Sequence, residues 1–362
     1  MEKSLKKSLG IFKYLGIFPF NYFSGEILFS EKWFLYSSML FSILLFNSVC
    51  ITYNLHTIDL PVTQLMKLII NYSLLISISQ YILGFFASVY YVDELNVAIN
   101  RFYDIELLIG TMNVGNNKFL TLYLCYIYNT FIMINSPQID LFPNSNRLQE
   151  FFASILVFQI ISLNYLLFYM ISFVYSLLDL IVKKLNEMNH IKDLELLLES
   201  YFLLNDSASH LQHYFNIPLI NINAGSFFSI LTYIFMLIKL KPSLNLNLVI
   251  IIWLVLTILI LFDIAFICQN LQKKCHEFDR ILRRKVFEDN VGHIANNSKV
   301  YLHFTNCRII KFSTFNFIDI NYKMLSSMLA AITTYLVILL QMDDEHAQQL
   351  HEIANNYTNN TQ

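Results

Sequence analysis

The residues best suited to chemistry lie near the C-terminus, in the run Met324-Leu-Ser-Ser-Met-Leu-Ala-Ala-Ile-Thr-Thr-Tyr-Leu-Val-Ile-Leu-Leu-Gln-Met342 and the carboxylates after it. Written as a helix, this run gathers Ser326, Ser327, Ala330, Ala331 and Thr333 into a small-residue face that lets another helix approach closely. If several copies surround an axis, Ile338, Gln341 and Met342 fall on one stripe. Two bulky apolar side chains that expel water, with a ring of amides beside them, are the ingredients of a gate for ions. Asp343, Asp344 and Glu345 follow, and carboxylates multiplied around an axis concentrate cations at a mouth. An ordinary packed helix with a solvated acidic cap uses the same residues, so the run alone leaves both readings open.

Bond-making chemistry is poorly served. There is no Gly-rich phosphate loop, no His-Glu-x-x-His, no nucleophile elbow and no paired carboxylates inside an apolar run, so neither an enzyme nor a cofactor is expected. His210 and His213 stand about one helical turn apart, but nothing nearby completes a ligand set and no metal site is expected. Asp263 sits inside an apolar run, where a charge is costly and marks a function or a partner. Its place near the basic end of that run favours a paired or snorkelling structural carboxylate.

The elements that must carry these residues follow from composition. Of 362 residues, 56% are apolar and only 14% charged, with mean hydropathy +0.51, whereas soluble domains carry about a quarter charged residues. A net charge of −2 gives no basic surface for phosphates, so no nucleic-acid partner is expected. Five cysteines, mostly within apolar segments, read as free thiols. A bilayer core of about 30 Å needs about 20 apolar residues in a helix. Seven runs qualify: Trp33–Tyr53, Leu65–Tyr91, Phe119–Ile134, Phe151–Leu178, Ile217–Ile238, Leu246–Cys268 and Met324–Met342. The expected fold is an all-α membrane protein of seven transmembrane helices in the lipid bilayer.

Lysine and arginine set the orientation, because cytoplasmic loops retain them. With the N-terminus inside, twenty of the 24 basic residues lie in the cytoplasm and only Lys67, Arg147, Lys239 and Lys241 lie outside. The N-terminus is therefore cytoplasmic and the C-terminus extracellular. The expected division is a cytoplasmic segment 1–32, retained despite its signal-like start, six spans over 33–268, a cytoplasmic loop 269–323, a last span 324–342 and an extracellular tail 343–362. The fourth helix should run on into the cytoplasm, giving an extension over 179–214, because no Pro or Gly occurs between Pro143 and Pro218. Leu185, Met188, Ile191, Leu194 and Leu198 recur there at helical spacing among charges. With Phe278, Ile281, Leu282, Val286 and Phe287 of the later loop they suggest a compact helical domain beneath the membrane.

The last span resembles that of the insect gustatory receptors, whose final helix carries Thr-Tyr, five apolar residues and Gln-Phe. Here the run is Thr334-Tyr335-Leu-Val-Ile-Leu-Leu-Gln341-Met342, departing only in Met for Phe. The resemblance implies a tetrameric, ligand-gated, nonselective cation channel of the plasma membrane, a homotetramer or a heteromer with other gustatory receptors. It places the pore along the outer half of the seventh helix, with Gln341 and Met342 as gate residues and Ile338 a turn below. It also implies a cytoplasmic anchor over the loop 269–323 and a ligand pocket in the outer halves of the second to sixth helices. Sugar-sensing members carry Glu after Thr-Tyr, whereas this chain has Leu336. The expected ligand is a small-molecule tastant of the bitter plant class, with fructose or another polar tastant as the alternative; an odorant receptor, a G-protein-coupled receptor and a transporter are the remaining alternatives for the chain. Polar and aromatic residues expected in the pocket are Asn71, Tyr72, Asn129, Gln159, Thr232, Tyr233 and Trp253, able to stack on or hydrogen-bond such a molecule.

Overall fold

The long apolar runs form helices because a bilayer cannot satisfy backbone polar groups and each helix satisfies its own. The computed structural model describes residues 20–23, 26–57, 64–110, 147–188, 191–239, 244–289, 292–306, 309–315 and 317–359. The described residues begin with an antiparallel hairpin of β1 (Phe20–Phe23) and β2 (Glu26–Phe29). The helices are α1 (Glu31–Thr57), α2 (Gln64–Tyr90), α3 (Val92–Ile109), α4 (Arg147–Glu187), α5 (Ile191–Lys239), α6 (Leu244–Glu288), α7 (Ser298–Asn306) and α8 (Tyr322–Asn359). A two-residue hairpin of β3 (Ser313–Thr314) and β4 (Ile318–Asp319) precedes α8. Among the described residues, five helices are long and apolar enough to cross a membrane, and the bent pair α2 and α3 makes a sixth. The third expected span, Phe119–Ile134, lies outside the described residues.

Three elements differ from the sequence reading, each for a physical reason. Residues 92–109 form a helix that no search for apolar runs registers, because its apolar side chains occupy one face. Leu95, Ala98, Ile99, Phe102, Ile105 and Ile109 are buried, at the spacing of a single helical stripe. Asp93 and Glu94 stand in the first turn, where they favour a helix N-terminus. The helix turns 62° from α2 and ends at Gly110, whose φ of 93° suits a residue without Cβ. The fourth helix, in turn, does not continue through to Pro218. It stops at Glu187, and residues from Ile191 onward open a 49-residue helix that runs through Pro218 to Lys239. Proline costs one backbone hydrogen bond inside a helix, and neighbouring α2 braces this stretch: the Gln80 side chain donates to the Asn221 carbonyl. Finally, α8 does not end at Met342 but continues as backbone helix to Asn359.

The densest packing lies at the basic end of the bundle. There α3, the ends of α4 and α6, the start of α5 and the short α7 enclose one core containing Phe102, Phe173, Leu185, Leu198, Tyr201, Phe278 and Phe312. Tyr201 stacks on Phe278 at 4.3 Å between ring centroids, and His303 of α7 is 3% exposed with Nε2 2.6 Å from Asp279 Oδ1. Lys299 bonds Glu199 at 3.0 Å, while Arg101 pairs with Asp206 and His210 with Glu94. The expected loop 269–323 is therefore mostly helix: α6 runs twenty residues past Cys268 as one continuous rod, and α7 docks back on it.

Candidate functional site

The helix α8 that carries the Thr-Tyr…Gln run is the least enclosed of the long apolar helices. Fourteen of the 25 residues of Leu163–Glu187 are buried in the chain, against two of the 22 of Tyr322–Asp343. What packing it has is confined to one stripe. Leu325, Met328, Ile332, Leu336 and Leu339 meet α5 and α6, at intervals of three and four residues that keep them on one face. On the opposite face Ser327, Ala330, Thr334, Ile338 and Gln341 are exposed, and Ile338 is 44% exposed. Met342, at 52% exposure, lies on the flank between the two faces. Hydroxyls on this helix are satisfied internally: Ser327 donates to the Lys323 carbonyl at 2.9 Å, Thr333 to Leu329 at 2.9 Å and Thr334 to Ala330 at 3.1 Å. Apart from the Gln341 amide, this face thus presents small and apolar groups, as a helix facing lipid or a second helix requires.

The three carboxylates after Met342 do not behave as one solvated cap. Asp343 is turned inward, 4% exposed, with Oδ2 3.0 Å from Lys239 Nζ at the end of α5. It clamps the middle of α8 to the end of α5. Its register was readable: 343 lies seven residues after Leu336 and eleven after Ile332, on the packed stripe. The side chains of Asp344 and Glu345 lie outside the described residues. Lys239, which completes the clamp, carries no motif that would single it out in the sequence.

The expected ligand-facing residues are scattered. Tyr233 packs in a small apolar cluster with Phe235, Met236, Ile250, Leu336 and Leu339, directly against α8. Trp253 on α6 is 9% exposed, and its indole N–H has no acceptor among the described residues. Burying a donor without an acceptor costs about 1–3 kcal/mol, so this N–H marks a place where an incoming acceptor gains. Thr232 is buried but donates to the Phe228 carbonyl of its own helix at 2.8 Å. Tyr72 is 55% exposed on α2. The side chains of Asn71 and Gln159, and all of Asn129, lie outside the described residues. The motif residue Tyr335 leans edge-on against Phe227 of α5, with centroids 5.9 Å apart.

A multi-span helical bundle with one barely packed polar-striped helix defines a multi-pass membrane protein. The chain matches the 7tm Chemosensory receptor family over residues 5–346 and belongs to it. That family is one of receptors, not of enzymes. The fold is similar to that of the insect olfactory receptor OR5 from Machilis hrabei, with a TM-score of 0.69 at 13% identity over 94% of this chain and 98% of that one. The same receptor in complex with eugenol matches at a TM-score of 0.64 and 12% identity, with the same coverage. Among curated proteins, none is significantly similar in sequence.

Proposed function

We propose that this chain is a gustatory receptor, a tetrameric ligand-gated nonselective cation channel of the plasma membrane, opened by a small-molecule tastant of the bitter plant class. The observation that carries the reading is the exposed stripe Thr334, Ile338 and Gln341 on a helix packed along its opposite face only. Four such helices around an axis bury that stripe against each other, with Ile338 and Met342 as a constriction that dewets and Gln341 as the polar ring beside it. The basic end of the bundle faces the cytoplasm by the charge rule, and its dense core serves as the anchor that holds subunits together.

Tyr233 and Trp253 are the pocket candidates with the best link to the gate. A ligand that accepts from the Trp253 indole and displaces Tyr233 presses on Leu336 and Leu339. It opens the pore only by its differential affinity for the open arrangement. That a receptor of this fold takes eugenol supports a small organic ligand, and Leu336 in place of the Glu of sugar-sensing members supports a bitter compound over a sweet sugar.

The test is whole-cell current from cells expressing this chain alone, without functional G-protein signalling, challenged with bitter plant extracts and fructose. Agonist-evoked cation current whose conductance changes in Gln341→Ala is the expected result. Surface-expressed tetramers that stay silent across the panel overturn the reading of a self-sufficient channel.

A further inference from the structure

At the basic end, an open cavity of about 600 Å³ lies between α4 and α6. Its walls carry Lys183 and Asn186 from α4 and Lys274, Glu277, Arg280 and Arg284 from α6. Four cations thus face one space. The carboxylates opposing them are Glu277 and, at its upper edge, Asp179, which holds Lys183 and Lys274 at 2.8 Å each. Lys274 also reaches Glu277 at 3.0 Å. Glu288 stands at the lower rim, 3.8 Å from Arg284. The charge inside remains positive, and its two guanidiniums are exposed. Arg284 is partly oriented already, donating through Nη2 to Asn186 Oδ1 at 2.9 Å.

We propose that this cavity binds the polyphosphorylated inositol ring, as the headgroup of a membrane phosphoinositide or as a free inositol phosphate. Three features favour that chemistry. Lys274 and Arg284 are ten residues apart on one helix, so the cations span about 15 Å along it at 1.5 Å per residue. A single phosphate needs no such length, whereas a ring with phosphates at its edges uses it. Guanidiniums grip phosphate oxygens bidentately, and a basic pocket between helix ends on the cytoplasmic side suits a phosphoinositide. Finally, Lys274 lies six residues, about 9 Å, past Cys268, where the continuous apolar run of α6 ends. The cavity therefore opens at headgroup depth and extends toward water. The inference rests on the cytoplasmic placement of this end and not on channel activity.

The experiment measures binding to the full-length protein in detergent, where both faces are accessible, so that a wrong orientation or a failed channel assay does not affect the result. A fluorescent short-chain phosphatidylinositol 4,5-bisphosphate is the probe, with inositol trisphosphate and phosphatidylserine as competitors. At about fivefold per cation, the Arg280→Gln, Arg284→Gln double variant binds about thirtyfold more weakly, and Lys311→Gln, an exposed lysine elsewhere, binds as the parent. Glu277→Gln removes an opposing carboxylate and binds about fivefold more tightly, a gain that misfolding does not produce. Competition by inositol trisphosphate as strong as by the lipid assigns the site to a free phosphate, and competition by lipid alone assigns it to the membrane. Equal affinity in the parent and the double arginine variant, no saturable binding, or full competition by phosphatidylserine overturns the proposal.

Discussion

Replacing His303 by alanine tests whether the basic end is a packed core or a collection of surface ion pairs. The imidazole is 3% exposed and lies edge-on to Tyr201 and Phe278, with centroids 5.0 and 5.3 Å away. Removing a ring this enclosed leaves a cavity, and aromatic-to-alanine changes cost about 3–5 kcal/mol. Loss of the 2.6 Å bond to Asp279 adds less, about 1 kcal/mol, because Asp279 is 24% exposed and recruits water. Imidazole is smaller than the phenyl and indole rings that set this range, so the cavity costs about 3 kcal/mol, His303→Ala about 4 kcal/mol in all and His303→Phe about 1. With an unfolding entropy of roughly 2.1 cal/mol/K per residue, a chain of 362 residues loses about 5 °C and about 1 °C respectively. The assay is the apparent melting point of detergent-purified protein at a fixed scan rate. His303→Phe as damaging as His303→Ala would refute the reasoning, since the hydrogen bond and not the ring packing would then carry the stability.

Three further outcomes follow from the upper half of the molecule. Single cysteines at Thr334, Ile338 and Gln341 should react with a small charged thiol reagent faster when agonist is present, while a cysteine at Leu336, on the packed stripe, stays slow. Equal rates at all four positions would remove the pore from this face. Trp253→Phe keeps the ring's bulk and drops the indole N–H, so the half-maximal concentration of a hydrogen-bond-accepting agonist should rise about tenfold, with little change for an apolar one; an equal shift for both means that the N–H meets no ligand. Exchanging the Lys239 and Asp343 charges should restore the surface expression that Lys239→Asp or Asp343→Lys alone reduces. A double variant no better than the singles argues that the 3.0 Å contact does not couple α8 to the end of α5.

Much of this architecture was written in the sequence, and what escaped did so for definable reasons. Continuous apolar runs announce a membrane solvent, so α1, α2, α4, α5, α6 and α8 were legible within a few residues at most of their apolar ends. A one-sided helix such as α3 has too few apolar residues for that signal, and its burial stripe only makes sense once α5 lies beside it. No Pro or Gly marks where α4 stops at Glu187, a point at which the Met188 carbonyl accepts from Lys285 at 3.1 Å. In the candidate site, helical spacing and the Thr-Tyr…Gln run single out Ile338 and Gln341, and the packing of α8 leaves them opposite the packed stripe. Asp343 shows the limit of reading residue type before register. Three consecutive acids look like one cap, yet the first falls on the buried face and needs a cation there. Lys239 supplies it from a hundred residues away, a pairing that spacing along the chain cannot disclose. The exposed stripe of α8 is the converse case. Among the described residues nothing of the same chain covers it, and burying such a stripe is what the proposed arrangement of several copies around an axis would do.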